Sequence, residues 1–162
     1  MAGWSSAARM VYVILFISNA NASTTQILNF PQLVRAVESG DNVKAIIHFD
    51  NCQLLDSSLQ SLLAQNLDEA STRFNFTTYV HYKVKINGQL KDTVTTSMRG
   101  FAEQSTTGQL LTLFGRLSVY DDNTALLHVS YYDPVSHSKK WVVEWSCDIS
   151  NGRDDNGLVL FN

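Results

Sequence analysis

Tyr79-Val80-His81-Tyr82-Lys83-Val84-Lys85-Ile86 alternates apolar and polar side chains, and Asn87-Gly88 follows it directly. A period of two marks a strand that turns one face to a core and the other to water. Asn-Gly is the strongest short hairpin signal, because both residues accept the positive φ of a type I′ turn. Together they predict an antiparallel hairpin, with Gln89–Met98 as the returning strand. Val80, Tyr82, Val84 and Ile86 form its expected apolar face, and His81, Lys83 and Lys85 its polar face.

The same period continues downstream. A polar loop, Arg99–Gly108, leads to Leu110–Tyr120, where Leu111, Leu113, Leu117 and Val119 share a face. Asp121-Asp122-Asn123 makes a turn, and Ala125–Tyr132 returns with Leu127, Val129 and Tyr131 alternating. Asp133-Pro134 breaks that strand, since proline cannot donate to a ladder. Trp141, Val143, Trp145 and Cys147 then alternate, and after the Asn151–Gly157 turn Leu158–Phe161 closes the chain. Strands at this spacing with short turns read as an antiparallel meander.

Upstream the period is helical. Asn29 suits a cap, Pro31 the first turn, and Leu33, Val34 and Val37 form one stripe, with Gly40 placed to end the helix. Val43–Phe49 reads as a short β-branched strand, and Leu54–Leu67 has the leucine spacing of a second helix. The expected fold class is therefore α+β: a single domain, mainly an antiparallel meander, with one or two helices at its amino end. The apolar face of the sheet must be covered, by those helices or by the sheet curling on itself.

Residues 1–22 predict the cellular address. Arg9 precedes the apolar run Val11–Ile17, and Ala20-Asn21-Ala22 supplies the small residues of a signal-peptidase site. A spanning helix would need roughly 20 apolar residues, more than this run contains. The expectation is a cleaved signal peptide over 1–22 and one secreted, extracellular domain over 23–162, with no membrane attachment after cleavage. Arg9 is the only basic residue of that leader, so the remainder is one charge more acidic than the whole chain's −3. Such a balance argues against a nucleic-acid partner. Cys52 and Cys147 remain, and in an exported protein two thiols most simply form one disulfide. Two free buried thiols, or a thiol nucleophile, are the competing readings. A bridge would close a loop of about 95 residues and stabilise by roughly 4–5 kcal/mol on the chain-entropy model.

Motifs for chemistry are sparse. His48, His81, His128 and His137 show no metal-binding spacing, so no metal is expected, and nothing calls for a cofactor. The run Asp148–Gly157 has the composition of a calcium loop, but its twelfth position is Val159, which cannot ligate. A turn rich in residues that accept positive φ explains it better, with the Asp148–Asn156 stretch left as the only calcium candidate. Asn75-Phe76-Thr77 is an N-glycosylation sequon.

From Phe30 to Gly40 into Phe49-Asp50-Asn51-Cys52, then Tyr120-Asp121-Asp122-Asn123, Tyr132-Asp133-Pro134 and Trp145-Ser146-Cys147-Asp148, the chain resembles the VirK family of small exported proteins. The resemblance spans nearly all of residues 23–162 and departs most over Gln53–Thr72. It implies a signal peptide, a cysteine pair placed like Cys52 and Cys147, and no assigned activity. The functional expectation is a secreted, non-catalytic protein that binds an extracellular protein or matrix partner through His81, Lys83, Lys85 and His128. A small extracellular hydrolase using acids near Asp121 and Asp148, or a lipocalin-like carrier of an apolar ligand, are the alternatives.

Overall fold

The computed structural model describes residues 24–56, 69–103 and 107–162. In chain order its elements are β1 (Gln26–Ile27), α1 (Phe30–Glu38), β2 (Lys44–His48), β3 (Gln53–Leu54), β4 (Ser71–Asn75) and β5 (Tyr79–Ile86). They continue with β6 (Gln89–Glu103), β7 (Leu110–Tyr120), β8 (Thr124–Tyr132), β9 (Lys139–Asp148) and β10 (Leu158–Phe161). The expected leader over 1–22, and the expected second helix beyond Asp56, lie outside the described residues.

Asn87 and Gly88 take φ of 51° and 84°, as a type I′ turn requires. That turn sets Ile86 opposite Gln89 and so fixes the whole β5–β6 register, through Lys83 opposite Asp92 to Tyr79 opposite Thr96. Strands β6 to β9 add in sequence, giving a six-stranded sheet in the order β3-β9-β8-β7-β6-β5. One face of this sheet is the core face. Val94, Val119, Ala125 and Cys147 stand in one row across it, and Thr96, Leu117, Leu127 and Trp145 in the next.

The cover comes mainly from a second antiparallel sheet, ordered β1-β10-β2-β4. Its Ile27, Ala45, Ile47, Phe74, Leu158 and Leu160 join the inner residues of the large sheet in a single core. Phe74 of β4 crosses to β7, its ring 3.0 Å from where a side chain on Gly115 would begin, so the missing Cβ makes room for the phenyl group. Helix α1 adds Phe30, Leu33, Ala36 and Val37 to the same core. Its start is capped by Asn29, whose Oδ1 accepts from the Gln32 amide at 3.0 Å. Asn123, in the β7–β8 turn, accepts from the Phe30 amide at 2.8 Å and pins the helix to the large sheet.

The two sheets are joined covalently where β2 ends. A short 3-10 turn, Phe49–Asn51, carries the chain to Cys52, which is bonded to Cys147 of β9. Phe49 stacks on Trp145 at 4.8 Å beside the bridge. Gly157, entering β10, accepts from the His48 amide at 2.8 Å and leaves no space of its own. A Cβ there would stand 2.7 Å from the Asn51 carbonyl oxygen and closer still to Cys52 Sγ.

These findings correct the expected α+β class. Strands take 58% of the described residues and helices 10%, with one α-helix among them, so the fold is essentially all-β and two-layered. The physical reason is that β1, β3 and β4 are too short to show a period, and β10 inserts between β1 and β2 from the far end of the chain. Two further expectations change. Arg99–Glu103 continues β6 because Leu110–Phe114 offers it a partner, so the expected loop is shorter. On β5 it is the odd set that turns inward: His81 lies opposite buried Val94, while Val80 and Tyr82 are 61% and 40% exposed on the outer face.

Gly157→Ala is expected to lower stability by about 2 kcal/mol or more through overpacking against the bridge. Gly100→Ala, with open space around its missing side chain, should stay within about 0.5 kcal/mol. Thermal melts of both variants, with thiol titration to check the bridge, test this difference.

Candidate functional site

The expected contact residues divide between the two faces of the large sheet. His81, Lys83 and Lys85 sit on the helix side of β5, whereas His128 lies on the outer face of β8, opposite Arg116 and Glu144. Each histidine is held by a pair of neighbours. His81 Nδ1 meets Glu38 of α1 at 2.7 Å and Nε2 meets Asp92 of β6 at 2.9 Å, while its ring packs edge-on against Phe30. Burial pushes the imidazole pKa down, but the hydrogen bonds and charges of Glu38 and Asp92 outweigh it and leave His81 above its ordinary value. This histidine clamps the helix to the hairpin.

His128 joins three groups that sequence spacing alone did not connect. Its Nδ1 meets Glu144 Oε1 at 2.7 Å and its Nε2 meets Ser130 Oγ at 2.8 Å. The order serine, histidine, carboxylate is that of a nucleophilic triad. Two features deny it that chemistry. Ser130 is only 1% exposed, so no substrate reaches it. The main chain of Ser130 is paired on both sides, with Phe114 and Val142, which leaves no adjacent amide free to stabilise an oxyanion.

A groove of about 460 Å³ opens between the start of α1 and the β5–β6 hairpin. Phe30, Pro31, Val34 and Leu90 form its apolar walls, with Lys83 and the carboxylates of Asp92 and Asp121 at its polar side. Asp121 is partly committed, accepting from the Asp92 amide at 3.1 Å. The Asp148–Gly157 segment is organised around Asp154, whose carboxylate accepts from the Asn151 amide at 3.2 Å and the Asn156 amide at 3.3 Å. Burial raises the Asp154 pKa, and these amide donors more than reverse it, so the net shift is downward. Among the described residues no three His, Cys, Asp or Glu side chains cluster as a metal site.

Asn75 and Thr77 of the sequon are exposed at the end of β4, with Phe76 between them turned into the core. At the opposite end of the large sheet, Phe101, Leu110 and Phe114 project together from the outer face of β6 and β7. Trp141, edge-on to Tyr131 at 6.0 Å, stands on the inner face of the same end. Periodicity did not single out this patch, because an apolar residue on a strand reads first as core.

A family model described as VirK protein matches residues 26–137, more than half of the chain. The crystal structure of lpg1832, a VirK family protein from Legionella pneumophila, superposes with a TM-score of 0.61 at 14% identity. The alignment covers 85% of this chain and 98% of that one, and at this identity the likeness concerns the fold. No curated protein matches the chain.

The His81 clamp predicts a pH dependence. A histidine whose folded pKa is raised adds stability below its unfolded pKa, about 6.5, and loses it as pH climbs through the folded value. The difference in melting temperature between wild type and His81→Gln should therefore be larger near pH 5.5 than near pH 8.5. With both partners reachable by solvent, the effect stays under about 1 kcal/mol. Thermal melts across that range check it, and a difference that grows toward high pH would count against the clamp.

Proposed function

The chain belongs to the VirK family, and on that premise we propose that it is an exported, disulfide-stapled, non-catalytic protein that binds an extracellular partner. The observation that carries the binding role is the apolar end of the large sheet. Phe101, Leu110 and Phe114 are 69%, 52% and 39% exposed on one face, and their registers make them neighbours across β6 and β7. Clustered exposed aromatics of this kind mark interaction sites more often than chance surface. Aromatic residues also supply most anchor positions at protein interfaces.

Export is supported by the leader pattern over 1–22 and by the cysteine bridge, which suits an oxidising compartment. Exposed Asn75 suits glycan attachment on a eukaryotic secretory route. The carrier alternative gains no specific support, since Trp145 is packed within the core rather than lining a hollow. For the hydrolase alternative, Asp148 and the Asp121–Asn123 turn do lie at the same end of the sheet, joined by the Ile149 amide donating to the Asn123 carbonyl at 2.9 Å. Both acids are solvent-exposed.

Expression through a secretory host tests the address. Intact mass of the medium fraction, before and after reduction, should show cleavage after Ala22, one bridge and a glycan removed by Asn75→Gln. Retention of the protein on extracellular matrix from its source tissue or host tests binding. The Phe101→Ser/Phe114→Ser variant should be retained at least about tenfold less than wild type, given the cost of losing two aromatic anchors. Equal retention of a folded variant, or none by wild type, would remove this assignment.

A further inference from the structure

From the edge strand β5 we infer a second contact site, independent of the apolar end, that takes an extended segment of another protein carrying alternating acidic and apolar residues. Strand β5 is the last strand of the six-stranded sheet and pairs on one side only, with β6. The two-residue turn makes Ile86 and Gln89 a hydrogen-bonded pair, and antiparallel pairing alternates from there. Val84, Tyr82 and Val80 therefore aim their amides and carbonyls at β6. His81, Lys83 and Lys85 aim theirs away from the sheet, as an unpaired row. Such a row is a template for one more strand.

The side chains say which strand. Across an antiparallel pair, directly opposite residues lie on the same face and interact. On the outer face an added strand meets Val80 and Tyr82, both exposed, so apolar side chains match there. On the helix side it meets Lys83 and Lys85, which are exposed and have no carboxylate partner among the described residues. Acidic side chains match those positions. Asp92 is already engaged by His81 on the sheet side, so it does not neutralise the lysines at the edge.

A second copy of this chain is the wrong occupant. Any β5–β5 pairing that keeps like faces together sets odd residues against odd residues. Lys83 then opposes Lys83, Lys85 or His81 of the other copy, and like charges placed directly opposite are destabilising. The lysines exclude the self-complex and select an acidic partner with one device.

The probe is a blocked peptide of nine residues alternating Glu and Val, compared with its Lys–Val counterpart, both added to the purified protein. Bound Glu–Val peptide should slow amide hydrogen exchange at His81, Lys83 and Lys85 while leaving Val80, Tyr82 and Val84, already paired to β6, unchanged. Lys83→Glu/Lys85→Glu should weaken Glu–Val binding about five- to tenfold and transfer preference to the Lys–Val peptide. The milder Lys83→Ser/Lys85→Ser variant should weaken Glu–Val binding without gaining the Lys–Val peptide. Failure of exchange protection at the odd residues, protection that ignores both charge changes, or self-association through β5 would each overturn the inference. Failure of the Phe101/Phe114 variant to lose matrix retention bears on the other site alone.

Discussion

The Cys52–Cys147 bond holds the two sheets together at the point where several chain segments meet. It spans 95 residues of sequence and fastens the exit of β2, in the small sheet, to β9, in the large one. Around it the chain has little freedom. Phe49 must lie against Trp145, the His48 amide must find the Gly157 carbonyl, and Gly157 must lack a side chain. Cross-linking distant residues acts chiefly by restricting the unfolded chain. Here it also sets the distance between layers, so that Phe74, Ile47 and Leu160 reach the inner rows of the large sheet. The staple and the core packing are parts of one constraint.

The large sheet is legible in the sequence, and the small one is not. Asn87-Gly88 announces a hairpin, and counting outward from it gives Lys83 opposite Asp92 without any structure. Alternation likewise places Val143, Trp145 and Cys147 on one buried face. Those signals are local. The small sheet is assembled from strands of two to five residues drawn from both ends of the chain, and strands that short carry no period. Parity on β5 misleads for a related reason. An edge strand is not compelled to bury its apolar face, and the packing of Val94 beneath His81 decided the matter instead.

The sites follow the same division. His81 and Asp92 are close to legible, being two positions apart on a register that the turn dictates, but Glu38 comes from a helix whose placement needs the full fold. His128 meeting Glu144 could not be counted, because the register of β8 and β9 shifts by one between Tyr131 and Tyr132. The two histidines also show that residue type does not settle role. One bridges a helix to a strand through two carboxylates. The other is locked between a carboxylate and a sunken hydroxyl, a geometry that resembles catalysis while lacking its access.

Strand β10 lies between β1 and β2, so a segment from residue 158 onward completes a layer begun at residue 26. During synthesis the large sheet can assemble from one contiguous stretch as it emerges, each strand finding the one before it. The small sheet cannot. Its first strands must wait, unpaired, until Leu158–Phe161 has been made, which is the slow, non-local closure that topology penalises. A chain arranged this way keeps its amino-terminal portion unstructured throughout translation, the state in which a polypeptide can still be threaded through a membrane channel.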